Sequence, residues 1–347
     1  MSAPIRAACF AGTGRLELRE ITLPDPGPGE VLISVRASGV CGSDLHQLEG
    51  RWAQPDFAVG HEIAGVVAAV GGGVTRFSEG DRVCVEPFTY CGQCRYCRAG
   101  RYFHCPDMGF LTLTAHGGFA DKVLAPDYAL YRLPDSVSLE VGALAEPMAV
   151  AVHAARLGAV SGADGVLVLG AGTIGLMSVA AAQHMGSHTV CITARHAHQA
   201  EAAVRLGATA VLSTDTDTLI QQLPGHFADG PDVVLESVGS AARTFQQALE
   251  VAGKLGRVVL MGGNTGAMDG VHLAPVITKE LTILGSGCYS QLGTKRDFEI
   301  ALEILAAQPE VFAGLITHRF GLEEVGEAFA TALDKGGRKA VKVMVVG

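Results

Sequence analysis

The chain has 347 residues, 48% of them hydrophobic and 18% charged, with a mean hydropathy of +0.31. At roughly 100–200 residues per domain this sets two or three compact domains, and it excludes a mini-protein and a disordered tail. The formal net charge of −9 excludes a broad electrostatic footprint for nucleic acid or an anionic membrane and favours a small-molecule partner.

Charges at Arg6, Arg15 and Glu17 break up the N-terminal stretch, so no apolar run of signal-peptide length is expected and the protein is placed in the cytoplasm. Short β-branched or alternating runs at 31–35, 63–70, 82–86 and 122–125, separated by Gly, Pro and Asp turn signals, predict a mostly β region over residues 1–150. Residues 165–194 contain no Asp, Glu, Lys or Arg, yet Gly170, Gly172, Gly175 and Gly186 punctuate them. They read as a buried strand, turn and helix, not a membrane span. Apolar runs at 166–169, 189–193, 232–236, 257–261 and 281–284 then alternate with helix-length segments, which predicts a doubly wound parallel sheet over 151–287. From 288 to 347 the chain is expected to return to the first domain, with helices at 297–307 and 323–333 and a strand at 340–346.

Four of the nine cysteines, Cys91, Cys94, Cys97 and Cys105, have the spacing C-x2-C-x2-C-x7-C. That pattern lets one loop, about residues 88–108, wrap a single ion with four thiolates, the closed tetrahedral set of a structural zinc. An iron–sulfur centre and redox disulfides are the competing uses.

The run Gly170-Ala-Gly172-Thr173-Ile174-Gly175 follows an apolar strand and opens an Ala-rich segment. This is the setting in which a glycine turn and a helix N-terminus bind a dinucleotide pyrophosphate. After the next strand the chain reads Thr193-Ala194-Arg195-His196, with no acid to hold a ribose 2′-hydroxyl. Arg195 is suited to grip a 2′-phosphate, with Thr193 and His196 as further donors, so NADP(H) is expected over NAD(H).

A second metal site is suggested by Cys41 in Cys41-Gly-Ser43-Asp-Leu-His46, by His61-Glu62, and by Glu146 ahead of Pro147. Thiolate, imidazole and carboxylate together bind zinc while leaving a place for water or substrate. Singly, each has an ordinary use: Cys41 as a small buried group, His61 as a core histidine, Glu146 as a helix-start acid.

In their order along the chain, the motifs at 41–46 and 60–62, Gly80-Asp-Arg-Val83, the four-cysteine loop, Glu146-Pro147 and the glycine run at 170–175 resemble the zinc-dependent medium-chain alcohol dehydrogenase superfamily over essentially the whole sequence. The resemblance implies an α/β protein with a GroES-like, mostly β catalytic domain (1–150 and 288–347) and a Rossmann domain (151–287). It implies two zinc ions per chain: a structural one in the four-cysteine lobe, and a catalytic one on Cys41, His61 and either Glu62 or Glu146. Ser43 falls where the family places the hydroxyl that bonds the substrate oxygen, His46 where it places the outer end of a proton relay, and the nicotinamide carries the hydride.

Glu146 matches the sorbitol, butanediol and threonine dehydrogenase branches. By approximate alignment Gln47 replaces an aromatic, and Cys288-Tyr289 replaces an arginine-containing pair of the sorbitol enzymes. The expected substrate is therefore a secondary alcohol or ketone: a diol, polyol, hydroxyketone or cyclic alcohol, with heavily hydroxylated polyols disfavoured. A homodimer or homotetramer is expected. An NAD-dependent polyol or amino-alcohol dehydrogenase, zinc-assisted epimerisation or double-bond reduction, and a redox-inactive nucleotide-binding paralogue are the alternatives.

Overall fold

In strand Glu30–Gly39, Val31, Ile33 and Val35 alternate onto one face, buried with Ile63, Val67, Val83, Val85, Val123 and Leu130. Period-2 alternation of this kind is what a sheet needs to cover a core. The computed structural model describes residues 4–55, 59–111, 116–239, 243–263, 268 and 270–347. It divides into two compact units, Met1–Glu146 with Leu305–Gly347, and Pro147–Ile304.

The first unit is built on a seven-stranded sheet. Its order is Ile316–Phe320, Lys342–Val346, Glu30–Gly39, Glu62–Val70, Arg82–Val85, Leu130–Arg132, and Lys122–Pro126 also pairs with Glu30–Gly39. The C-terminal strand thus returns to the N-terminal sheet, as expected, and its register matters for the site: Met344 pairs with Gly39, and Gly39 pairs with Glu62. Helix Val325–Leu333 packs Val325, Ala328 and Phe329 into a core with Phe10, Leu45, Phe119 and Val343.

The second unit holds six parallel strands in the order Ala210–Leu212, Thr189–Thr193, Gly165–Leu169, Val233–Glu236, Arg257–Leu260, Thr282–Gly285. Counted along the chain this is 3-2-1-4-5-6, the doubly wound arrangement. Leu167, Val168, Val190, Cys191, Val234 and Val258 are fully buried, because strands of a parallel sheet are covered on both faces and need continuous apolar runs. The uncharged run at 165–194 forms two of these strands and helix Thr173–His184. No described helix is long and apolar enough to cross a membrane. The three-residue edge strand Ala210–Leu212 escaped the sequence reading because it is too short to show periodicity.

The second boundary lies later than the sequence placed it, since residues 288–304 stay with the second unit. Asp297 explains why. Fully buried at the start of helix Asp297–Ala307, it accepts hydrogen bonds from Arg156 Nη1 at 2.5 Å and the Ser290 amide at 2.9 Å, and lies 2.6 Å from His153 Nδ1. A buried carboxylate with those partners fastens the segment to helix Ala145–Leu157.

Candidate active site and metal centres

The four lobe cysteines come from one loop and the single turn Arg95–Arg98. Their sulfurs lie within 4.8 Å of one another: Cys94–Cys97 and Cys91–Cys105 at 3.5 Å, Cys91–Cys97 at 3.9 Å. A tetrahedron with zinc–sulfur arms of 2.3 Å has edges of about 3.8 Å, so one zinc-sized ion fits the quartet. A multi-iron cluster spreads its thiolates over several metal atoms and does not suit it.

Backbone amides prepare the sulfurs. The Cys94 amide donates to Cys91 Sγ at 3.3 Å and the Cys97 amide to Cys94 Sγ at 3.4 Å. Bonds from the Gln93 and Cys94 amides lower the Cys91 thiol to about 7, while burial and its sulfur neighbours push Cys97 up to about 12. A dication is what allows all four to ionise together.

The second centre starts from helix Gly42–Leu48, which Cys41 precedes as N-cap residue. Asp44 Oδ2 accepts the Cys41 amide at 2.9 Å, and its Oδ1 stands 3.6 Å from Nδ1 of buried His61. Asp44 thereby fixes the turn bearing the thiol and faces the imidazole, the carboxylate support a ligating histidine commonly has. Cys41, His61 and Glu62 form a three-donor group with ligand atoms within 4.8 Å. Burial opposes a charged His61, yet the Asp44 carboxylate and the Cys41 sulfur hold its imidazole well above the usual range. The donor set therefore calls for positive charge, and its chemistry suits zinc.

Of the two carboxylates left open by the sequence, Glu62 joins this group. Glu146 is buried at the start of helix Ala145–Leu157 but is not part of it.

Ser43 is half-buried on the same short helix. Asp44, next to it, takes the bond from the Cys41 amide that closes the turn. His46 packs beside Trp52, with ring centroids 5.2 Å apart. Burial, then the nearby Arg51, hold its imidazole below the ordinary value. Two residues that the sequence did not single out belong here. Asp44 was visible within its motif, whereas Lys342, whose Nζ donates to Glu62 Oε1 at 2.6 Å, gave no signal.

The glycine run has the geometry its spacing promised. Gly170 takes φ +96°, and a Cβ at Gly175 would stand 1.8 Å from the Gly170 carbonyl oxygen, so neither position admits a side chain at low cost. A Cβ at Gly172 would meet nothing within 4 Å, which leaves an open approach at the N-terminus of helix Thr173–His184. Thr173 and Ile174 form its first turn. Thr193 is buried, and its Oγ1 accepts the Gly170 amide at 2.9 Å, bracing the loop. Arg195 is exposed with no ion-pair partner among the described residues, and His196, which caps helix Ala197–Arg205, stacks on His198 with centroids 5.5 Å apart. Tyr289 is fully buried against Phe298, and Cys288 before it adopts φ +44°.

Fold and site together define a zinc-binding dehydrogenase. Residues 27–135 match the alcohol dehydrogenase GroES-like domain, and residues 173–307 the zinc-binding dehydrogenase domain. The chain belongs to the zinc-dependent medium-chain alcohol dehydrogenase superfamily. It is 35% identical to a sorbitol dehydrogenase of Arabidopsis thaliana over 352 residues, covering 97% of this chain and 94% of the relative. A zinc-binding dehydrogenase of Sinorhizobium meliloti bound to NADP superposes with a TM-score of 0.89 at 29% identity, covering 100% of both chains. An alcohol dehydrogenase of Escherichia coli complexed with NADH has a TM-score of 0.89 at 26% identity, again over 100% of both. The protein is an alcohol dehydrogenase oxidoreductase.

Proposed function

We propose that this enzyme carries two zinc ions and transfers a hydride between NADP(H) and a secondary alcohol or ketone. The observation that carries the reading is the convergence of Cys41, His61 and Glu62 into one donor group, with Ser43 and His46 on the adjoining helix. Bound there, zinc supplies Lewis acidity toward the substrate oxygen. In the oxidative direction the Ser43 hydroxyl takes the alcohol proton and passes it toward His46, which burial keeps neutral and able to accept it. The glycine turn at 170–175 would hold the pyrophosphate of a bound dinucleotide, whose nicotinamide would supply the hydride acceptor. A chelator-sensitive change in NADPH absorbance with secondary alcohols and ketones tests the reaction class. Activity that survives complete metal removal overturns it.

Two zinc ions per chain are expected by elemental analysis. Cys97→Ala should lose the lobe ion and much of its soluble yield, since three thiolates leave the shell incomplete. A soluble variant with full zinc content argues against that assignment.

Solved neighbours hold either nucleotide, so the cofactor preference rests on Ala194 and Arg195. Removing Arg195 should weaken NADPH by about 1.5–3 kcal/mol, the scale of a hydrogen bond to a charged group, and leave NADH nearly untouched. Ala194→Asp should favour NADH by offering the ribose an acceptor and repelling a 2′-phosphate. The ratio of kcat/KM with NADPH to that with NADH decides; a wild-type preference for NADH refutes the reading.

The assembly we propose is a homo-oligomer. Edge strand Thr282–Gly285 carries no charge or proline, the usual protections of a free edge, and exposed Ile277 and Leu273 lie in the segment just before it. Light scattering of the wild type and of Ile283→Lys tests this, and a monomeric wild type rejects it. None of the nine cysteines, all among the described residues, is in a disulfide, which suits a reducing cytoplasm and is checked by cell fractionation.

A further inference from the structure

Trp52 is the chain's single tryptophan, and the backbone returns it to the helix it follows. After helix Gly42–Leu48 the chain turns back, so that the His46 carbonyl accepts the Arg51 amide at 2.9 Å and the Trp52 amide at 3.2 Å. Gln54 closes the same turn, its side-chain amide donating to the Gln47 carbonyl at 2.8 Å. These bonds lay the half-buried indole against the half-buried imidazole of His46, with centroids 5.2 Å apart and planes tilted by 33°. A cation within about 6 Å of an aromatic face is attracted by the ring's quadrupole, and tryptophan gives the strongest contact of this kind.

His46 has few other means of bearing a charge. Its Nδ1 is buried without a hydrogen-bond partner among the described residues. The charged groups that bear on it are Arg51, which opposes an added proton, and Glu49, which favours one. Glu49 is itself engaged by Arg51 at 2.8 Å. Helix Val325–Leu333, which shares a core with Leu45 and Leu48, has Glu327 as its one charged residue, and that side chain is exposed and paired with Arg338. We propose that Trp52 is a positioning residue of the proton path: its indole face holds the His46 ring in place and stabilises the imidazolium formed when that ring takes a proton from Ser43. The inference rests on the reading that His46 receives that proton. Ser43 gives up its own hydroxyl proton as it takes the alcohol's and so ends unchanged, while His46 carries the charge until water removes it.

Because Trp52 is alone, the wild-type enzyme carries its own probe, since an imidazolium against an indole quenches its emission far more than a neutral imidazole does. Indole emission of the holoenzyme should fall as the pH is lowered, with a midpoint below 6.5, and the transition should be missing from His46→Gln. The His46 ring protons, assigned in the NMR spectrum by their loss from His46→Gln, should follow the same midpoint. Trp52→Leu keeps an apolar cover without the aromatic face. It should move the NMR midpoint, and the acidic limb of alcohol oxidation with it, down by about half a pH unit. A residue that only covers His46 would on removal leave that midpoint unmoved or raise it as water enters, so the sign separates the two roles. Should Trp52→Leu prove insoluble, Trp52→Phe, with its weaker ring face, decides by the same sign. Wild-type emission with no transition that His46→Gln removes, or a variant midpoint at or above wild type, overturns the proposal. A midpoint that moves while the acidic limb stays fixed, in this variant and in His46→Gln, overturns the proton-path reading itself.

Discussion

His61→Ala is expected to lower kcat by on the order of 10³-fold or more while leaving NADPH binding close to wild type. The imidazole is buried, faces Asp44, and is one of three donors gathered within 4.8 Å. Without it the remaining thiolate and carboxylate hold an ion weakly, and the polarisation of the substrate oxygen that this ion supplies is worth several kcal/mol. The proposed nucleotide-binding residues, the glycine turn and Arg195, lie in the other compact unit, so the two readouts should separate. Turnover, zinc content and NADPH fluorescence titration of one preparation make the comparison. A variant that turns over within tenfold of wild type would remove His61 from the catalytic centre.

Ser43→Ala should cost on the order of 10²-fold in kcat, the usual scale for a group that moves a proton in the transition state. Its zinc content should change little, since the hydroxyl is not among the metal donors. Ser43→Thr, which keeps a hydroxyl, should recover much of the loss. The next group in the relay sets the pH dependence. His46 is held below its ordinary value of 6.5, first by burial and then by Arg51, so it is neutral at pH 7 and becomes protonated only as the pH falls through that lowered value. Alcohol oxidation should therefore lose rate on the acidic side, below pH 6.5, and His46→Gln should flatten that limb while lowering the plateau. A Ser43→Ala enzyme with wild-type turnover would place the proton path elsewhere.

How much of this could be read from sequence depended on how far apart the cooperating residues lie. The cysteine cluster was legible because all four cysteines sit close together in the chain, where spacing nearly fixes geometry: three of the sulfur pairs fall at 3.5–3.9 Å. The glycine fingerprint was legible for the same reason, since Gly170 and Gly175 act on the turn that contains them. The bond from the Gly170 amide to the Thr193 hydroxyl was not legible, because it depends on the parallel pairing of that strand with Gly165–Leu169. The boundary at 288 was misjudged because nothing local shows that Asp297 will be bound by Arg156, 141 residues earlier.

The sequence by itself determined the superfamily, the two-part α/β architecture, the tight cysteine quartet and the glycine turn at 170–175, all features whose parts lie within a few residues or recur with a regular period. Only the tertiary structure decided between Glu62 and Glu146 in the three-donor group, set Asp44 opposite His61, and seated Lys342 on Glu62. Those choices follow from strand register across Lys342–Val346, Glu30–Gly39 and Glu62–Val70. Register is fixed by which apolar faces must be buried together, and a shift of one residue would turn each of these side chains to the opposite face.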